Sequence, residues 1–142
     1  MPTTIDPKLA SELRIAVMRL SRRLRRERAD DTLTTTQLSA LATIDRARSI
    51  TLGELAALEY VQPPSMTRVV AALEQQGLVR RAPHATDGRQ VLLEVTASAR
   101  RLLAAERERR EAWLCHRLRD LTEDERSTLR TAAHIMERLA GS

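Results

Sequence analysis

The sequence predicts a mainly α-helical fold with a small β-wing: a winged helix-turn-helix unit over residues 34–96, flanked by N- and C-terminal dimerisation helices at 6–28 and 97–140. Residues 51–96, TLGELAALEYVQPPSMTRVVAALEQQGLVRRAPHATDGRQVLLEVT, run through a short helix pattern, a tight turn, a second helix closed by Gly77 and two β-rich runs around a basic loop. Such a unit places one helix in the major groove of DNA and a hairpin beside it. The rest of the chain is almost wholly amphipathic helix, which suits the pairing of two such units. The formal net charge of +5 favours an anionic partner, nucleic acid first.

Asp6 followed by Pro7 opens the first helix, with an N-cap oxygen and a proline at the first helical position. Leu9, Leu13, Val17, Leu20 and Leu24 then form one apolar stripe, while Arg19, Arg22, Arg23, Arg25, Arg26 and Arg28 make a solvated face around its second half. Thr34 and Gln37 read as a capping box, with Leu33 and Leu38 as its hydrophobic staple, and predict a helix over 35–47. Thr51 and Glu54 repeat the device with Ile50 and Leu55, and predict a helix over 52–59.

Small Ala56 allows close helix approach, and Val61 closes the apolar side of the turn that follows. Helix-turn-helix turns usually carry glycine where Tyr60 stands. Positive φ is costly for tyrosine, so a different turn is predicted here. The second helix begins at Pro63 or Pro64, buries Met66, Val69, Val70 and Leu73, and ends on Gly77 in the left-handed region. Gln62, Ser65, Thr67 and Arg68 are left on exposed or edge faces.

Leu78–Ala82 and Gln90–Val95 read as strands around PHATDG, where Pro83, Asp87 and Gly88 form the turn. The hairpin is predicted to carry His84 and Arg89 at its tip. Thr96 caps a long helix to about residue 119, and Thr122 with Glu125 opens a last helix to about 139. Leu102, Leu103, Trp113, Leu114, Leu118 and Leu121 on one, with Leu129, Ala133, Ile135, Met136 and Leu139 on the other, exceed what a lone helical pair can hide.

Other classes are disfavoured. A single cysteine, Cys115, excludes an intrachain disulfide, fits a reducing cytoplasm, and is expected as a small buried thiol. No apolar run approaches the roughly 18 residues of a membrane span, and the N-terminus lacks a signal peptide's apolar segment. Tyr60 and Trp113 are the only aromatics, too few for the stacking platforms of single-stranded nucleic acid or RNA binders. His84, His116 and His134 are scattered, and Cys115 and His116 point about 100° apart on a helix, so no metal site is expected. Asp30–Asp31 in a loop and Glu123–Asp124–Glu125 in a first helical turn serve solubility and the helix dipole rather than acid–base chemistry. With no glycine-rich phosphate loop or nucleophile elbow, neither an enzyme nor a cofactor is expected.

In this order of elements the chain resembles the MarR (multiple antibiotic resistance regulator) family of bacterial transcription factors over nearly its whole length. LTTTQLSALATI is similar to the family's second helix, TLGELAALEYVQPPSMTRVVAALEQQGLVRR to its helix-turn-helix and first wing strand, and DGRQVLLEVT to its second wing strand. The resemblance implies a homodimer with intertwined first and last helices. It also implies that Gln62, Pro64, Ser65, Thr67 and Arg68 make major-groove and phosphate contacts, and that Asp87 orients Arg89 for the minor groove. Three positions depart from the family pattern: Gln62 stands for a serine-like N-cap, Gly88 for a frequent wing arginine, and Ala99 for a frequent glycine.

The expected function is therefore a dimeric, sequence-specific regulator of transcription, a repressor on a near-palindromic double-stranded operator. The resemblance implies release by a small ligand held between the dimer helices and the winged unit. A nonspecific architectural DNA binder is the alternative, and an adaptor whose winged unit binds protein is a third, opposed by Arg68, Arg80 and Arg81.

Overall fold

Side-chain caps set where the helices begin. In this computed structural model, which describes residues 4–29 and 31–141, Asp6 accepts the Lys8 amide at 2.9 Å and starts α1 (Pro7–Arg26). Asp30 of the Asp30–Asp31 pair lies outside the described residues. Thr34 and Gln37 exchange both bonds of their capping box, at 3.1 and 3.0 Å, and open α2 (Thr35–Ala47). Thr51 accepts the Glu54 amide at 3.2 Å to begin α3 (Leu52–Leu58). After α4 (Pro63–Gln75), α5 (Ala97–Leu118) follows Thr96, which accepts the Ala99 amide at 3.3 Å. Thr122 and Glu125 cap α6 (Glu123–Ala140) with a second full box.

The chain divides into two compact units, Arg28–Glu108 and the segments on either side of it. In the first, α2 and α3 pack on α4, and a three-stranded antiparallel sheet closes the core. The sheet contains β1 (Ile50–Thr51), β2 (Val79–Pro83) and β3 (Val91–Val95), with β3 in the middle. The first strand is absent from the sequence prediction. Ile50 pairs with Leu93 and Thr51 with Leu92, and two residues leave no alternating pattern to read. Leu41, Ile44, Leu55, Met66, Leu73 and Leu93 are the large fully buried apolar side chains, and Ala40, Ala56 and Ala99 let the elements approach.

The turn after α3 corrects the sequence reading. Tyr60 does adopt positive φ, 54°. Its amide donates to Ala57 at 3.3 Å and the Val61 amide to Ala56 at 3.0 Å, the two bonds of a Schellman cap with Tyr60 in the left-handed position. The end of α4 repeats the arrangement with Gly77 at φ 71°, where Gly77 donates to Glu74 and Leu78 to Leu73, both at 2.9 Å. Two satisfied carbonyls and Val61 packed against the core outweigh a backbone cost of about 1 kcal/mol.

A charged side chain also belongs to this core. Glu106 of α5 is 2% exposed and accepts the Ala29 amide at 3.3 Å, bracing the segment that enters the unit. Glu106→Ala is expected to lower stability by about 1–3 kcal/mol by stripping that amide of its acceptor. Urea unfolding measures it; a midpoint equal to wild type would make the contact incidental.

The second unit combines α1, the later part of α5, and α6. Arg23 and Arg117 lie over the Trp113 ring at 4.6 and 5.4 Å, and Arg23 pairs with Glu27 at 2.7 Å. No described residue of α1 or α6 is buried. Leu9, Val17, Leu20, Leu129, Ile135, Met136 and Leu139 stand exposed, whereas the excess expected on α5 and at Leu121 is not seen: Leu103 is buried in the core of the first unit, Leu102 packs against that core, and Trp113, Leu114, Leu118 and Leu121 are half-buried. Cys115 corrects another expectation: its thiol is exposed, beside Leu118, Arg119 and Arg126, because the chain by itself places no layer over that face of α5.

Candidate nucleic-acid interface

Helix α4 is oriented by its apolar face. Met66, Val70 and Leu73 are fully buried, and the turn of a helix then carries Pro64 and Arg68, four residues apart, to the opposite side. Gln62, Pro64, Ser65, Thr67 and Arg68 are all exposed, so the structure brings the five sequence-predicted positions to the surface on the first two turns of one helix. Gln62 is the N-cap but makes no side-chain capping bond, which leaves its amide free to donate and accept elsewhere. The Thr67 hydroxyl donates to the Pro63 carbonyl at 2.9 Å and keeps its lone pairs and methyl for outside contact. That set can read base edges: amide and hydroxyl groups, a methyl, and a guanidinium suited to guanine or phosphate.

The wing is β2 and β3 in the register Val79↔Val95 to Pro83↔Val91, joined by residues 84–90. Its loop is held from inside. His84 Nδ1 accepts the amides of Thr86 at 3.2 Å and Asp87 at 3.0 Å. The half-buried His84 is therefore a brace of the loop as well as part of its tip, a role that spacing alone did not signal. The Asp87 carboxylate accepts the Arg89 backbone amide at 3.0 Å. This differs from the expected bond to the guanidinium: an Asx turn two residues long is the shorter reach. Arg89 itself is exposed and in no ion pair among the described residues. A Cβ at Gly88 would meet nothing within 4 Å among the described residues, so a side chain is not sterically barred there.

Two other arginines are already engaged. Arg80 meets Glu94 at 2.9 Å across the β2–β3 pair, and Arg81 meets Glu74 of α4 at 2.8 Å. The hydrogen bond that Arg81 donates to Glu74 raises the Arg81 pKa above its ordinary value, against the opposing effect of burial and with added attraction from the Glu74 charge. The cationic character of this surface therefore rests on Arg68 and Arg89 more than on Arg80 and Arg81. Among the described residues no group of three or more His, Cys, Asp or Glu is placed to hold a metal ion, and no helix is long and apolar enough to cross a membrane.

Residues 33–91, which include all of α4 and the wing loop, match the model of the MarR family. An HTH-type transcriptional regulator of Mycobacterium tuberculosis is 50% identical over 131 residues, 92% of either chain. The chain belongs to the MarR family. It is a MarR-family helix-turn-helix transcriptional regulator. A Mycobacterium leprae relative, an uncharacterised HTH-type transcriptional regulator, is 47% identical over the same share. Among solved structures, a Pseudomonas aeruginosa PA01 protein superposes with a TM-score of 0.83 at 37% identity, covering 99% of both chains. Wild-type MarR of E. coli superposes with a TM-score of 0.74 at 25% identity, over 90% of this chain and 96% of that one. The mostly helical fold with its small antiparallel sheet is thus the winged fold of the MarR family.

Proposed function

We propose that this MarR-family regulator acts in the cytoplasm as a homodimeric repressor on a near-palindromic DNA operator, with Gln62, Pro64, Ser65, Thr67 and Arg68 in the major groove and Arg89 in the minor groove. One observation carries the reading: Glu94 and Glu74 hold Arg80 and Arg81, whereas Arg68 on α4 and Arg89 on the wing are exposed and form no ion pair among the described residues. A narrow A·T-rich minor groove concentrates negative potential and attracts such an arginine. A two-fold dimer reads half-sites about one helical turn, roughly 34–36 Å, apart. The exposed apolar faces of α1 and α6 support the dimer. The relatives of this chain are named as transcriptional regulators. The repressor role is in keeping with one solved neighbour, named a multiple antibiotic resistance repressor, and release by a small ligand is part of the proposal on family likeness alone.

The test is mutation of the wing with titration at fixed salt against DNA protected near the protein's own coding region. Arg89→Ala is expected to weaken binding by about 1–3 kcal/mol and leave thermal melting nearly unchanged. Asp87→Ala is expected to weaken it less, by loosening the turn that presents Arg89, although Coulomb attraction alone predicts the opposite sign. Unchanged binding in Arg89→Ala, or tighter binding in Asp87→Ala, would remove the wing from the interface. Equal competition by excess random duplex at physiological salt would favour an architectural binder instead.

A further inference from the structure

Both helices of the helix-turn-helix end in the same two-bond cap, yet they fill its left-handed position differently. Gly77 serves α4 at φ 71° without steric cost, whereas Tyr60 serves α3 at φ 54°. The cap and the packing of Val61 outweigh the backbone cost, but a glycine would keep both, and among the described residues nothing engages the tyrosine side chain itself. The residue is 97% exposed, and no hydrogen bond or ion pair joins its hydroxyl to any described residue. Glycine would satisfy the same cap with less strain, so the ring and its hydroxyl are placed for contact outside the chain.

The neighbouring residues identify the contact. Tyr60 lies two residues before Gln62, the N-cap of α4. A helix N-terminus ordinarily offers free amides to a phosphate, but Pro63 and Pro64 occupy the first two helical positions and carry no N–H. The nearest acidic group is turned inward: Glu59 accepts from Ser39 at 3.0 Å and from Thr43 at 2.9 Å. A residue with an uncharged, exposed hydroxyl therefore stands two positions before the N-cap of a helix whose first turn has lost donors, with the adjacent Glu59 carboxylate drawn away.

We propose that the Tyr60 hydroxyl donates a hydrogen bond to a backbone phosphate of duplex DNA beside the groove that α4 enters, in place of the amides that Pro63 and Pro64 remove. This rests on the DNA-binding reading above. A phosphate contact is independent of sequence, so a random duplex of about 30 base pairs, roughly three helical turns, serves as the probe at low salt.

Binding is followed by fluorescence anisotropy across a salt series, and melting is recorded for each variant. Tyr60→Phe keeps the strain and loses only the hydroxyl; it is expected to bind about fivefold more weakly with unchanged melting. Tyr60→Gly is expected to melt higher, through relief of the left-handed backbone, and still bind at least as weakly as Tyr60→Phe. Neither variant changes the salt slope, because a neutral donor releases no counterion, whereas Arg68→Ala lowers it by about one. Wild-type affinity in Tyr60→Phe overturns the inference, as does a loss accompanied by lower melting, which would make the hydroxyl structural. If Arg68→Ala weakens binding while Tyr60→Phe does not, the DNA reading survives and this inference alone fails. If the wild-type protein does not bind duplex at low salt, both fall.

Discussion

Leu41→Ala is expected to lower the stability of the winged unit by about 2–5 kcal/mol, a large part of what a small domain has to spend. Leu41 is fully buried in α2, the helix that packs on both α4 and β3. Its side chain is one of a set that includes Ile44, Met66, Leu73 and Leu93, all fully buried, and neighbours so tightly packed collapse only partly into a cavity. The removed atoms forfeit burial energy as well as their dispersion contacts. Because α2 supports the helix and the central wing strand at once, DNA binding should fall in parallel with the folded fraction. Leu41→Met conserves volume and is expected to cost under about 1.5 kcal/mol. Urea unfolding of both variants checks this, and a midpoint for Leu41→Ala equal to wild type would displace Leu41 from the centre of the core.

The second large effect concerns pairing of two chains. Val17→Glu is expected to weaken the proposed dimer by at least about a hundredfold, nearly 3 kcal/mol at 1.4 kcal/mol per factor of ten. Val17 lies in the α1 stripe with Leu9 and Leu20, and all three are exposed in the single chain. On α6, Leu129, Ile135, Met136 and Leu139 are exposed as well, with Leu139 at 64%. So much apolar helix surface is what an obligate interface covers. A carboxylate set into it loses its hydration. Dissociation would also remove the second half-site contact, so operator affinity should drop by more than any single groove contact accounts for. Sedimentation at micromolar concentration provides the measurement. A wild-type protein that sediments as a compact monomer would refute the dimer, and a Val17→Glu protein that stays dimeric would move the interface off this stripe.

The sequence by itself determined what local chemistry controls. The capping boxes at Thr34–Gln37 and Thr122–Glu125 close over three residues, so the starts of α2 and α6 follow from the residues alone. The buried stripe of α4 follows from helical period, and with it the exposure of Gln62, Pro64, Ser65, Thr67 and Arg68. The strands of the wing begin and end within one residue of their predicted bounds. Tertiary structure decided the rest, because those features depend on partners distant in sequence or on what covers a surface. Strand β1 exists only through its pairing with Leu92 and Leu93, and Glu106 is buried with its carboxylate accepting the amide of Ala29, distant in sequence. Tyr60 accepts a left-handed backbone because the cap and the packing of Val61 outweigh a residue preference of about 1 kcal/mol. Cys115 is exposed because burial belongs to the assembled surface and not to the residue type. Asp87 and Arg89 were legible as a pair, but which atoms meet depended on the turn: the carboxylate takes the nearby backbone amide and leaves the guanidinium free to reach outward.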